Sequence, residues 1–488
     1  RIVEPLIRDG GELRPVSWER ALQEAAAGLK RAGAKAAAIA GSQSTNEEGY
    51  LLSRLLREAL GSPHLDSRRA GALPLELHRA LGAPELQARV SDLEFAHAVL
   101  VLDADPVNDA PILDLRLRKG IRRRGLKLAV ASPGTSSLEP SAALAIRFQA
   151  GASAAFTAAL ASALAGRGDL ERLCGKAGVE VQVIHELVEL LRGPQAEEGA
   201  DGEAAPREVV VLWGERLSAG SAGGAGADAL LDIAGQLALA EIPGAGLLEI
   251  PAASNGRGLR EAGVLPNGGA GLAEASQEGR DSAAIAKGLA SGELSALYLL
   301  QCDPLRDLPD RALWERALAG ASTVVAHAAF LTDAIREHAH VVFPAEAYPE
   351  KEGTVVHPDG RLQRLRPAIA RPGSVRAGWH VIAELALQLG LDFDVLSGAM
   401  ASRQLLAAVP FYAGLTLEEI GGRGVRWQER DGAAAFPRPT HAPVTSPPES
   451  VIAPEDAADV AGYRSVWDAP EVEHSPAFDF LFKTKELV

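Results

Sequence analysis

Residues 97–133, HAVLVLDADPVNDAPILDLRLRKGIRRRGLKLAVASP, hold two apolar runs separated by a stretch of helical length. The first run, within HAVLVLDADP, ends at Asp103, Asp105 and Pro106. PILDLRLRKGIRRRG then reads as a helix, and LKLAVASP as the next strand. A strand covered on both faces shows a continuous apolar run rather than alternation. Two such strands joined by a helix are the unit of a parallel sheet.

The same unit recurs on both sides. SWERALQEAAAGLKRAGA (17–34) is an amphipathic helix with Ser17 as N-cap and Gly33 at its end. KAAAIAGS is a buried strand stopping at Gly41. The next helix is capped by Ser44 or Thr45, carries Glu47 and Glu48 at the positive end of its dipole, and closes at Gly61. Residues 156–166 and 181–193 are helical in pattern, and the acidic 194–207 reads as an exposed linker. The alternation then restarts with strands at REVVVLWGERL (207–217), LSALYLLQCDP (294–304, a second strand ending in Asp-Pro), STVVAHAAF (322–330) and HVVFPA (340–345). Helices lie at 227–240, 311–320 and 379–390. The fold class is α/β, doubly wound, with mostly parallel sheets. Residues 396–488 are Pro-rich and weakly periodic, and read as an irregular, extended C-terminal tail wrapped on the body.

A chain of 488 residues implies two to four domains. Its net charge of −15 excludes nucleic-acid binding by overall electrostatics. No apolar run is long enough to span a bilayer, so no direct membrane insertion is expected. RIVEPLIRDGGEL has no apolar h-region, and a start at Arg1 without Met reads as part of a longer chain. Only two cysteines occur, Cys174 and Cys302; this favours a cytoplasmic protein and cannot supply an iron–sulfur cluster with four thiolates.

Ligands of open parallel sheets bind at the carboxyl ends of the strands. The loops expected there are 41–48, 102–111, 301–310 and 345–363. EKEGTVVHPDGRLQ (350–363) is either a solvated loop with glycine turns or the wall of a cleft. The basic stretches 67–69 and 116–127 offer charge, the latter read as the solvated face of a helix. SAGGAGAD (221–228) lacks the lysine and spacing of a P-loop and reads as a helix lead-in. His338 and His340 would face opposite sides of a strand, and His357 and His380 stand alone, so no metal site and no catalytic residue is assigned.

Several segments carry a resemblance. IVEPLIRDGGELRPVSWERAL, LVLDADPVNDAPILDLRLRKG, LWGERLSAG, LEIPAASNGRGLREAGVLPN, LYLLQCDPLRDLPD, VVFPAEAYPEKEGTVVHPDGRLQ and YRSVWDAPEVEHSP resemble the molybdopterin oxidoreductase family, in particular the G subunit of bacterial NADH-quinone oxidoreductase (respiratory complex I). The most specific is 350–363, which resembles the family's Glu-x-Gly-Thr-x-x-Asn-x-x-Gly-Arg-x-Gln, with His357-Pro358-Asp359-Gly360-Arg361 where the family has Asn-x-x-Gly-Arg. The resemblance implies a discontinuous α/β domain, formed by an opening segment 1–65 and by 208–395, around an inserted α/β domain 66–207. Residues 36–41 and 209–213 would then share one sheet.

The departures from the family decide the expected function. The stretch near LDSRRAGALP, where catalytic members place a metal ligand such as Cys, has no Cys. The guanine-binding Pro-Gly-Thr-Asp is replaced by QAGAS (149–153). The resemblance therefore implies a scaffold in the peripheral arm that supports electron transfer from NADH to quinone and has lost molybdopterin. Asp105, Gly353, Thr354, Gly360, Arg361 and Gln363 are left as the candidates for a vestigial cleft. The 2Fe–2S and 4Fe–4S clusters of full-length members lie in an N-terminal part outside this chain. The expected partners are other peripheral-arm subunits, on the cytoplasmic face of the inner membrane. The rival function is an active molybdenum or tungsten bis-pterin oxidoreductase, such as the catalytic component of a formate dehydrogenase.

Overall fold

The computed structural model describes residues 1–439 apart from Ser42, Ala70, 194–206, 220–222 and Ala253. The chain opens with the hairpin β1 (Leu6–Asp9) and β2 (Glu12–Pro15), then α1 (Trp18–Ala32), β3 (Ala36–Ala40), α2 (Asn46–Arg54) and the short β4 (Leu65–Asp66). Next come β5 (Ala98–Leu102), α3 (Pro111–Arg124), β6 (Lys127–Ser132), β7 (Leu144–Arg147), α4 (Ser153–Ala165), β8 (Val209–Gly214), α5 (Gly223–Gln236) and β9 (Gly246–Ile250). After α6 (Gly256–Glu261) follow β10 (Ala296–Leu300), β11 (Thr323–Ala328), β12 (Val341–Pro344), β13 (Gly353–Val356), β14 (Arg361–Leu365), α7 (Gly378–Gln388), α8 (Gly398–Ala408) and β15 (Val425–Arg426).

These strands make two doubly wound sheets and a small antiparallel one. The seven-stranded sheet has the order β2-β1-β12-β11-β10-β3-β4, parallel from β12 to β4. The five-stranded sheet, β7-β6-β5-β8-β9, is wholly parallel. The third sheet is β13-β14-β15. In the larger sheet α1, α2 and α7 cover one face, and helices Ser282–Ser291 and Arg311–Gly320 cover the other. In the smaller one α4, α5 and helix Val181–Arg192 cover one face, and α3 the other. Ser17 caps α1, accepting from Arg20 N at 3.3 Å. Thr45, not Ser44, caps α2 through a reciprocal box with Glu48.

Three expectations fail. Residues 36–40 and 209–214 lie in separate sheets: β8 pairs with β5, and β3 pairs with β10. The smaller sheet therefore continues through β9 and takes in part of what was assigned to 208–395. Residues 396–439 are not extended: α8 and the turns after it bury Phe411, Tyr412, Trp427 and Phe436 in one aromatic cluster. Residues 396–436 hold only Pro410, and their apolar residues built α8 and short helical turns here rather than a tail. His338 ends a helix instead of lying on the strand, which starts at Val341. The tail beyond Pro439 and the linker 194–206 fall outside the described residues.

Candidate functional site

In a doubly wound sheet the crevice opens where successive crossovers leave in opposite directions. That point is β3|β10 in the larger sheet and β5|β8 in the smaller. At both, a glycine lets neighbouring chains come very close. A Cβ on Gly41 would lie 1.9 Å from the Gln301 carbonyl oxygen, and one on Gly214 2.2 Å from that of Asp103.

At β3|β10 the N-terminus of α2 meets the hairpin β13–β14, and the stretch 350–363 is neither a solvated loop nor an open wall. Lys351 is fully buried and donates to both oxygens of Glu48 at 2.6 and 2.7 Å. Glu47 accepts from Thr354 N (2.8 Å), Thr354 Oγ1 (2.9 Å) and Ser402 Oγ (2.7 Å). Burial raises the Glu47 carboxyl above its ordinary range, and these three donors hold it partly down. Asn255 extends the network, donating to Ser44 O and Asn46 Oδ1 and accepting from Val356 N. Beneath it, on β11, His327 is buried beside Tyr298 at 3.1 Å. Burial and the Lys351 charge push its pKa down to about 3. Charge placed here is paired and hydrogen-bonded, as burial demands.

Arg69 links the two crevices. Its backbone N–H donates to Glu215 just after β8, and its guanidinium lies 3.8 Å from Asp307 just after β10. Next to it, Arg68, His78, Arg257, Arg260, Glu249 and Glu261 help line a cavity of about 40 Å³ between the two sheets. Arg68 donates to Ser218 Oγ at 2.6 Å; Arg260 pairs with Glu249, and Arg257 with Glu261 at 2.8 Å. Burial, then Arg68 and Arg260, hold His78 far below its ordinary pKa, so its ring is neutral. Asp66 is occupied: it accepts from the backbone N–H of Ser67, Arg68 and Ser282. Burial lifts its pKa to about 7.

The candidates from sequence divide. Thr354 is at the centre of the network. Gly353, at φ +143°, packs where a Cβ would meet Glu47 at 2.6 Å. Gly360 turns the hairpin at φ +80°, and Arg361 stays half-buried, 4.0 Å from Asp359. Gln363 is exposed. Asp105 belongs to the other sheet, where it caps a short helix through Val107 N. The sequence reading missed Glu47 and Glu48 as buried groups, and with them Lys351, Asn255 and Ser402. Two adjacent acids straight after a strand end at a switch point were the available signal. It also missed Arg257 and Arg260, and took Arg68 only as part of the basic stretch 67–69.

Residues 1–388 match the sequence family described as Molybdopterin oxidoreductase. The chain belongs to that family. Among curated family relatives, the NADPH-Fe(3+) oxidoreductase subunit alpha of Geobacter sulfurreducens is 29% identical over 472 residues, covering 89% of this chain and 54% of that protein. The G subunit of the NADH-quinone oxidoreductase of Mycobacterium bovis is 30% identical over 450 residues, covering 85% and 49%. The chain thus spans about half the length of the curated relatives it matches. Among solved structures, acetylene hydratase from Pelobacter acetylenicus superposes with a TM-score of 0.64 over 86% of this chain and 65% of that one, at 16% identity. A chain of the formyltransferase/hydrolase complex from Methylorubrum extorquens gives 0.54 over 79% and 98%. These two likenesses establish the fold.

The residues present do not fit a metal-bound pterin in the cavity between the sheets. About 40 Å³ holds a few waters, at roughly 10–15 Å³ each, and not a fused ring system. Both thiols are buried, and burial raises their pKa: Cys174 lies in the core of the smaller sheet, and Cys302 beside Asp303 and Asp307. Neither is a poised thiolate. Among the described residues no group of three or more His, Cys, Asp or Glu could hold a metal ion, and no helix is long and apolar enough to cross a membrane.

Proposed function

We propose that this chain is the scaffold portion of a G-subunit-type protein in the peripheral arm of a proton-translocating NADH-quinone oxidoreductase. It has lost molybdopterin and contributes no catalytic residue. It braces the cluster-bearing part that carries electrons from NADH towards quinone, and it docks against other peripheral-arm subunits at the cytoplasmic face of the membrane. One observation carries this reading: the space between the two strand-end crevices is filled by mutually neutralised side chains, Arg68 with Glu215, Arg260 with Glu249 and Arg257 with Glu261. An anionic dinucleotide there would have to break these pairs, at a cost of several kcal/mol for each buried charge left alone. Similarity to the G subunits of Mycobacterium bovis and Streptomyces coelicolor, among others, supports the assignment to the complex.

The test is elemental analysis with pterin detection, on protein made in a host that synthesises the cofactor. Metal below a tenth per chain is expected, together with co-purification with NADH:quinone activity from the native membrane. Molybdenum or tungsten near one per chain, with a pterin released on denaturation, would sink the scaffold reading in favour of a formate dehydrogenase-like enzyme.

A further inference from the structure

A groove of about 600 Å³ runs along α8 and the turns that follow it. That is within the range of roughly 300–1,000 Å³ usual for ligand clefts. Its floor is apolar and buried: Leu406, Val409 and Leu415. Ala407 and Ala413 form exposed parts of its lining, and small side chains there leave room for large ones from elsewhere. Two charges also line it, Arg403 and Glu418, and neither is in an ion pair among the described residues. Leu396, just before α8, is 83% exposed. This is an apolar trough with one cation and one anion at its edge.

We propose that the trough is the docking site of the chain's own C-terminal stretch, residues 478–482, FDFLF. The described chain ends at Pro439, three residues after Phe436. Phe436 is buried in the aromatic cluster with Phe411 and Trp427, and Leu406, Val409 and Leu415 belong to the same cluster. The remaining 49 residues therefore start from the same part of the molecule as the trough. Phe478, Phe480 and Phe482 alternate in the sequence, the period-two apolar spacing that suits an apolar trough. Asp479 on one flank and Lys483 and Lys485 on the other offer the charges that Arg403 and Glu418 lack. Only 38 residues of chain separate Pro439 from Phe478, so the trough meets this stretch as a covalently tethered segment, at an effective concentration on the order of millimolar. Even modest affinity then fills the trough, and any partner competing for it must displace a tethered ligand.

The experiment uses a fluorescent peptide, HSPAFDFLFKTKELV (474–488), and fluorescence anisotropy. The native chain should bind it weakly, because its own terminus occupies the trough. The full-length F478A/F480A/F482A variant, whose body is untouched, should bind it at least tenfold more tightly. A chain ending at Pro439 should match that variant. Adding Ala407→Glu to the triple variant should abolish binding, with far-UV circular dichroism and melting unchanged. Equal affinity for the native and triple-variant chains overturns the proposal. So does binding that survives Ala407→Glu. So does failure of both altered chains to bind, which leaves the trough to a separate protein.

Discussion

At the end of β5 the chain runs Leu102-Asp103-Ala104-Asp105-Pro106; at the end of β10 it runs Leu300-Gln301-Cys302-Asp303-Pro304. The two turns share one design. Asp103 and Gln301 both take positive φ, 47° and 51°, without being glycine. Asp105 and Asp303 each cap a short helix, through Val107 N at 3.3 Å and Leu305 N at 3.0 Å. Asp109 and Asp307 each accept from the backbone of the capping Asp. The occupants differ. Asp103 accepts from Ser153 and faces Arg216 at 3.5 Å, next to a guanidinium that is partly solvated. The β10 turn instead lies against the segment leading into β13, with Gln301 donating to Glu346 O, and that segment delivers Lys351 into the core. One backbone module thus carries, in one sheet, a buried carboxylate with a partly solvated guanidinium and, in the other, a pair sealed on both sides. The module sets where side chains converge; the neighbouring segment sets what they can bind.

The sharpest way to break this contrast is Lys351→Met. It strands Glu48 as an unpaired buried charge, and urea unfolding should show a loss of about 3–5 kcal/mol, while E48Q/K351M, which removes the charge but keeps an acceptor for Thr45 N, recovers much of it. Arg216→Met leaves the buried Asp103 with its Ser153 hydrogen bond and should cost less, about 1–3 kcal/mol. Equal losses would erase the distinction. The second test is acid. His327 is held at about 3 against an ordinary 6.5. As pH falls through about 6.5 the unfolded chain gains a proton that the folded chain refuses until about pH 3, so stability falls across that window. At up to about 1.4 kcal/mol per pH unit, the drop between about pH 6 and pH 4 should be roughly 2–3 kcal/mol, and H327Q should lack this component. Third, Gly41→Ala and Gly214→Ala should each cost about 1–3 kcal/mol, since both Cβ atoms would meet backbone. A loss at only one would mean that the two switch points are not equivalent. Fourth, Asp105→Ala and Asp303→Ala should cost about 1 kcal/mol each in thermal unfolding. Smallest, Gln363→Ala on the hairpin surface should stay within about 0.5 kcal/mol.

The strands and helices were legible because their periods are local: five or six apolar residues, then a capped amphipathic run. Sheet membership was not. AAAIA (36–40) and VVVLWG (209–214) are both continuous apolar runs, and nothing in either says which neighbour it will find. The family resemblance supplied a domain split that placed them together, and the hydrogen-bond ladders separate them. The site was half legible. Gly353 and Thr354 stood out by motif, whereas Glu48 and Lys351, 303 residues apart, looked like ordinary surface charges. Only tertiary packing brings them together, and charge alone argues for solvent. The stretch after residue 396 misled because its prolines cluster from Pro437 onward, whereas 396–436 holds only Pro410, which starts a helical turn.

The pairing of β3 with β10 has a consequence for synthesis. Ala36–Ala40 leaves the ribosome 260 residues ahead of Ala296–Leu300, the strand whose backbone it must meet. At roughly 5–20 residues per second, β3 waits on the order of 10–50 seconds with one edge unsatisfied. The smaller sheet, contiguous in sequence from β5 to β9, can close in that interval. The nascent chain should therefore carry a finished domain and an apolar open-edged strand at once, a state that invites aggregation and that chaperones exist to shield.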